Sequence, residues 1–277
     1  MSLVLRRLSL GVVFCWGLFA GKGAIGQAAL PSLSDPAISP DGREIAFVSG
    51  GDIWTVVAGG GEAHLLVTHP ATESRPLYSP DGTKLAFVST RTGVGNINVL
   101  TLATGELMRL TYSDRPDSLD GWSHDGKWIY FTSERSGTFQ LWKMPADGGA
   151  PVQITAPAGL WPAESPDTKS IYYFRNSSAW RYDFSTGSEA HVVDISPSGQ
   201  EWSLCGQEIC FVERVSSSKG NFVRYDPVAK RRRVTPLDAG SLVGASLGID
   251  VSSDGYWLVY TRADSVQSDI MLVENFH

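Results

Sequence analysis

Polar turn residues and short, apolar, β-rich runs alternate along this chain with a near-regular period. The clearest copy is Tyr78-Ser79-Pro80-Asp81-Gly82-Thr83-Lys84-Leu85-Ala86-Phe87-Val88-Ser89. It reads as a hairpin. Pro80 presets φ at the first turn position, Asp81 can hydrogen-bond its own backbone, and Gly82 takes a positive φ without steric cost. Leu85, Phe87 and Val88 then supply a strand. Related turns begin at Ser39, Ser79, Ser123, Ser165, Ser203 and Ser252, at intervals of 40, 44, 42, 38 and 49 residues. A second strand follows each turn, at 45–49, 85–89, 129–133, 171–174, 209–212 and 258–261. A polar loop and a third strand come next, the latter marked by Ile53-Trp54, Ile97, Leu141-Trp142, Trp180, Phe222 and Ile270. Turns such as Gly59-Gly60-Gly61 and Asp147-Gly148-Gly149 introduce a fourth.

Four strands per unit of about forty residues, with no amphipathic helical stretch, specify an all-β fold. The expectation is a six-bladed β-propeller of four-stranded antiparallel blades. Its sixth unit stops at His277, directly after a third strand. Residues 29–34 are expected to lend the missing strand, so that both chain ends meet in the last blade and no sheet edge stays open.

Residues 1–28 read as an export signal. Arg6 and Arg7 precede an apolar run over 8–20 and the small residues Gly26 and Ala28. The expected division is therefore a signal peptide at 1–28 and the propeller at 29–277. The run is short for a membrane span, which leaves a retained anchor as the alternative to cleavage. Val13-Phe14 before Cys15 does not fit a lipoprotein signal. A periplasmic or secreted protein without stable membrane insertion is expected, a monomer by default. Loss of Arg6, Arg7 and Lys22 would take the formal charge from -6 to about -9, which argues against nucleic acid as a partner. Cys205 and Cys210 remain, and in an exported chain such a pair is expected to form a disulfide, here across a hairpin turn.

The stretch Trp122-Ser123-His124-Asp125-Gly126-Lys127-Trp128-Ile129-Tyr130-Phe131-Thr132-Ser133 resembles the repeat of the TolB-like, or PD40 (WD40-like), bacterial propellers. The resemblance extends over the whole chain after the signal. The tail Ser268-Asp269-Ile270-Met271-Leu272 is similar to the end of propellers fused to bacterial regulators and kinases. It implies a six-bladed propeller and a protein-binding role in the cell envelope. TolB carries a separate α/β domain for which no sequence is present here, so its role is not carried over, and one superfold hosts many functions.

Candidate chemistry is sparse. Gly244-Ala245-Ser246-Leu247-Gly248 matches a nucleophile pattern that requires a strand, a turn and a helix, and no helix is expected there. His64 and His69 lack acidic or cysteine partners, so no metal site is expected, and no cofactor motif occurs. His124 takes a proline's place in its turn. Lys230-Arg231-Arg232-Arg233 reads as a charged outer-strand edge. Arg91, Arg135, Arg175, Arg214 and Arg262 recur after the second strands and would ring one mouth of the central funnel. They can bind anionic groups or staple loops to neighbouring acids. The resulting expectation is a non-catalytic, protein-binding or ligand-sensing scaffold of the envelope, docking its partner at that mouth. A propeller enzyme of hydrolase, lyase or cyclase type, or a structural envelope component, are the alternatives.

Overall fold

The computed structural model describes residues 4–7, 33–195, 202–216, 219–238, 249–252, 257–264 and 267–274. No helix occurs among them, and none is therefore long and apolar enough to cross a membrane. Strand β1 is Val4–Arg7. The first blade is β2 (Leu33–Ile38), β3 (Glu44–Ser49), β4 (Asp52–Val57) and β5 (His64–Val67). The second is β6 (Glu73–Tyr78), β7 (Lys84–Ser89), β8 (Asn96–Thr101) and β9 (Glu106–Arg109). In the third, β10 (Asp117–Trp122), β11 (Trp128–Ser133) and β12 (Gln140–Pro145) are followed by a two-residue β13 (Val152–Gln153). The fourth is β14 (Leu160–Glu164), β15 (Ser170–Arg175), β16 (Ser178–Asp183) and β17 (Glu189–Asp194). The fifth is β18 (Trp202–Cys205), β19 (Glu208–Arg214), β20 (Lys219–Asp226) and β21 (Arg231–Asp238). Strands β22 (Ile249–Val251), β23 (Leu258–Asp264) and β24 (Gln267–Glu274) complete the chain.

The expectation of a six-bladed propeller closed by residues 29–34 is corrected by this topology, which has five blades. Five blades are built from four consecutive strands each, β2 to β21, all antiparallel. The last three strands do not repeat that plan: their sheet runs β1-β24-β23-β22, and its fourth strand is Val4–Arg7, paired from Val4↔Glu274 to Arg7↔Met271. The reason lies in the first turn. Ile38 runs straight into Ser39, so the residues ahead of the turn are taken up by β2 as the inner partner of β3. They are not free to serve as an outer strand elsewhere.

The turns explain the spacing of the repeats. Ser39 and Ser79 each accept from the glycine three residues on, Gly42 and Gly82, at 2.8 Å, with φ of 70° and 69° at the glycines. The serine hydroxyls donate to Asp41 and Asp81 at 2.7 and 2.6 Å and accept the backbone N–H of Glu44 and Lys84 at 2.9 Å. Ser123 and Ser165 repeat the arrangement, although Thr168 stands where glycine is expected and adopts φ 58°. In the fifth blade Cys205 occupies the aspartate's place, and its sulfur is bonded to Cys210, with Cα atoms 5.9 Å apart. A covalent link thus stands where the first four turns carry a serine–aspartate hydrogen bond.

Burial is between sheets. Ile53 and Val67 of the first blade pack on Leu85 and Phe87 of the second, and Val88 and Val99 of the second on Ile129 and Phe131 of the third. Val259 of β23 packs against Ile45 and Phe47, which brings the last sheet onto the first blade. Alternate residues of each strand face opposite neighbours, so both faces of a blade must be apolar.

Candidate functional site

Each inner strand faces the central axis, and several are interrupted there by one extra residue. The register shifts between Ser34 and Ala37, Ser74 and Leu77, Leu119 and Gly121, and Leu160 and Ala163. Such bulges re-aim side chains. Asp35, Arg75 and Trp161 sit at these points with φ of 48°, 52° and 53°, a region costly for non-glycine residues and often kept where function requires it. Each is followed by a proline, Pro36, Pro76 or Pro162, tolerated because an inner edge has no further strand to bond. In the third blade Asp120 is the extra residue.

These side chains line a cavity of about 120 Å³ on the axis, together with Trp202 and Asp250. A wider cavity of about 300 Å³ continues from it, sharing Leu77, Asp120, Pro162, Ala163, Ser203 and Asp250, and is walled beyond them by Pro40, Pro80, His124 and Ser252. The channel therefore opens on the face that carries the serine–aspartate turns. That is the end opposite the arginines, where the partner was expected to dock.

Three carboxyls meet in the narrow part. Asp120 has a side chain only 1% exposed; burial pushes its pKa up to about 6, with Arg75 and the Thr132 hydroxyl opposing. Its Oδ2 accepts from Thr132 at 2.6 Å, whereas Oδ1 has no hydrogen-bond donor and lies 3.6 Å from Arg75 Nη2. Burial likewise raises Asp250 to about 6, against hydrogen bonds from the Ile38 and Val251 N–H groups at 2.8 and 2.9 Å. Asp35 is also raised by burial, with the Arg75 charge and backbone opposing. No group of three His, Cys, Asp or Glu among the described residues is gathered closely enough to hold a metal ion.

At the mouth, His124 replaces the turn proline and gains a backbone N–H by doing so. That N–H and Nδ1 both contact Glu164 Oε2, at 2.7 and 2.9 Å, and the Tyr130 hydroxyl donates to Oε1 at 2.7 Å. The hydrogen bond to Glu164 raises the His124 pKa. For Glu164, burial pushes upward but the contacts from His124 and Tyr130 prevail and hold it low.

Three of the five arginines are held within their own blades. Arg135 Nη2 contacts both oxygens of fully buried Asp117 at 2.9 Å and sits over Trp142. Arg91 pairs with Glu73, and Arg175 with Glu189, each at 2.9 Å. The side chains of Arg214 and Arg262 lie outside the described residues, as does the stretch from Gly244 to Gly248. Arg232 and Arg233 pair with Glu213 and Glu208 inside their sheet. His64 is exposed on β5, and His69 Nδ1 accepts from Ala71 N. Sequence reasoning missed the channel residues. The visible signal was the X-Pro pair three residues ahead of the turns at Ser39, Ser79 and Ser165.

Comparison with known proteins returns the same architecture. TolB from Acinetobacter baumannii superposes with a TM-score of 0.64 at 20% identity, over 87% of this chain and 63% of that one. A gluconolactonase from Xanthomonas campestris gives 0.64 at 12% identity, over 88% and 86% of the two chains. An 85-residue stretch is 34% identical to the uncharacterized protein Atu1656 of Agrobacterium fabrum (strain C58), covering 30% of this chain and 29% of that protein. The chain thus spans less than a third of this relative and under two thirds of the Acinetobacter TolB. Residues 31–208, well over half of the 277, match one family throughout, and the chain belongs to the Tricorn protease N-terminal beta propeller domain family.

Proposed function

We propose that this chain is a non-catalytic, exported propeller that holds a segment of a protein partner in its channel at the cell envelope. The observation that carries the reading is the channel itself, a narrow acidic chamber opening into a wider mouth on the turn face. The inner chamber of about 120 Å³ admits a single side chain, and the wider mouth of about 300 Å³ admits the backbone of an extended segment. The likeness to TolB supports an envelope setting, and the leader-like residues 1–28 support export with that leader retained, because Val4–Arg7 fills the fourth strand of the last sheet. Affinity capture from native envelopes tests the reading. One stoichiometric protein, lost when Tyr78, His124 and Ser203 at the mouth are replaced by bulkier residues, is expected. Capture unaffected by those changes would refute it.

The second reading is an enzyme, favoured by one observation, the His124–Glu164 pair. Nδ1 is engaged and Nε2 is left to face the mouth, an arrangement suited to general-base work. Hydrolysis of lactones or esters that is abolished by His124→Gln would favour this reading over the first.

A further inference from the structure

The narrow chamber has a chemistry of its own. Among the described residues of its wall, Asp35, Asp120 and Asp250 converge against one cation, Arg75, beside two indoles, Trp161 and Trp202. Asp120 lines this space and its buried Oδ1 has no hydrogen-bond donor, and an acceptor left so is expensive unless a partner arrives. Aromatic faces beside carboxylates favour a cation with an apolar stem. The space, about 120 Å³, is narrow enough to take one extended side chain.

Resting on the partner-binding reading above, we infer that the chamber is a receptor for a primary alkylammonium, the side chain of a lysine on the inserted segment. The wider mouth passes the backbone of that segment. The lysine stem runs against Trp161 and Trp202, and its ammonium donates to Asp120 Oδ1, with Asp35 and Asp250 supplying the remaining negative field. The carboxylates are too dispersed to share one metal ion. An ammonium on a flexible stem needs only the one hydrogen bond to Asp120 and responds to the other two as charges.

The test titrates Nα-acetyl-lysine-amide into the full chain at fixed ionic strength, followed by calorimetry. Its Nε-acetylated counterpart has the same stem without the charge. Saturable binding of the lysine, weakened roughly tenfold or more by Nε-acetylation and equally by Asp120→Asn, is expected. Asp147→Asn, which removes the same charge from the exposed partner of Lys84, should leave it unchanged. Should Asp120→Asn fail to fold, Asp35→Asn carries the same test, because asparagine tolerates the positive φ there. The inference is overturned by absence of saturable binding, by equal binding of the acetylated probe, or by an undiminished Asp120→Asn. Putrescine binding tenfold more tightly than the capped lysine would assign the chamber to a free amine and overturn the segment. Capture of a partner that persists after its lysines are acetylated would sink the inference while leaving the scaffold reading intact. Absence of any partner would sink that reading instead.

Discussion

Ile38 N donates to Asp250 Oδ2 at 2.8 Å, joining residues 212 apart in sequence across the seam between the first blade and the last sheet. Apolar packing accompanies it, with Val259 among Leu33, Ile45 and Phe47, and Trp257 against Gly42. A side-chain-to-backbone bond here fixes the relative height of the two sheets, which dispersion contacts alone leave free to slide.

Asp250→Ala should therefore destabilise the fold by about 1–3 kcal/mol, since it strands the Ile38 N–H in a seam without a replacement acceptor. Asp250→Asn keeps an acceptor and should cost less. Urea melts of both variants check the order. Equal stability of the alanine variant and the parent would mean that the seam is held by packing alone.

Asp120 supplies a pH dependence of definite sign. With its pKa at about 6 when folded, against 3.8 as the ordinary value, the folded chain holds this proton more firmly than the unfolded chain does. Its contribution to stability therefore falls as pH rises from about 4 to about 6, by on the order of 2 kcal/mol. Asp120→Asn removes that loss. Thermal melts at pH 4.5 and 7 should show the variant gaining on the parent at the higher pH; a constant gap would contradict the assignment.

His124 shifts stability with the same sign as the buried acid, through a partner and not through burial. Its pKa is raised by Glu164, so its pairing stabilises most below the ordinary value of 6.5 and fades as pH rises through the folded value. His124→Pro, which restores the common turn residue but deletes the N–H, should be less stable than the parent at pH 5.5, with the difference narrowing at pH 8.5. Calorimetry at the two pH values measures it.

Arg135 bonds both oxygens of an aspartate that is fully buried, so its removal strands a charge. Arg135→Ala should cost about 3 kcal/mol, and Arg135→Ala with Asp117→Ala appreciably less than the sum of the two single changes. Denaturant titration of the double-mutant cycle checks this. Additive effects would instead favour an arginine available to an external anion.

Reduction of the Cys205–Cys210 bond reopens a loop of only four intervening residues, worth on the order of 2 kcal/mol in the chain-entropy picture. Melting with and without reductant should differ by roughly 5 °C for a chain of this size.

How much of this was legible in sequence depends on the range of the interaction. The turns could be read residue by residue, because Pro80, Asp81 and Gly82 answer to φ values and hydrogen bonds within five positions. Ser79 was underrated there: its hydroxyl joins Asp81 to the N–H of Lys84, and the turn is built around it. The closing strand was misread because 29–34 and Val4–Arg7 are both short β-capable segments, and only β2's pairing with β3 excludes the first. Asp35, Asp120 and Asp250 were invisible as a set. They occupy different blades, and only the closing of the ring brings them to one axis.

The serine-centred turn and the bulge share one inner strand yet lie three to four residues apart, and only backbone connects them. A change at position 35, 75, 120 or 161 thus alters what the axis presents without loosening the joint that sets the hairpin. The molecule behaves as a ring of interchangeable sockets on a standard mount. A library confined to those four positions would vary recognition on a standing frame, with 35, 75 and 120 chosen together because the Arg75 charge faces both aspartates.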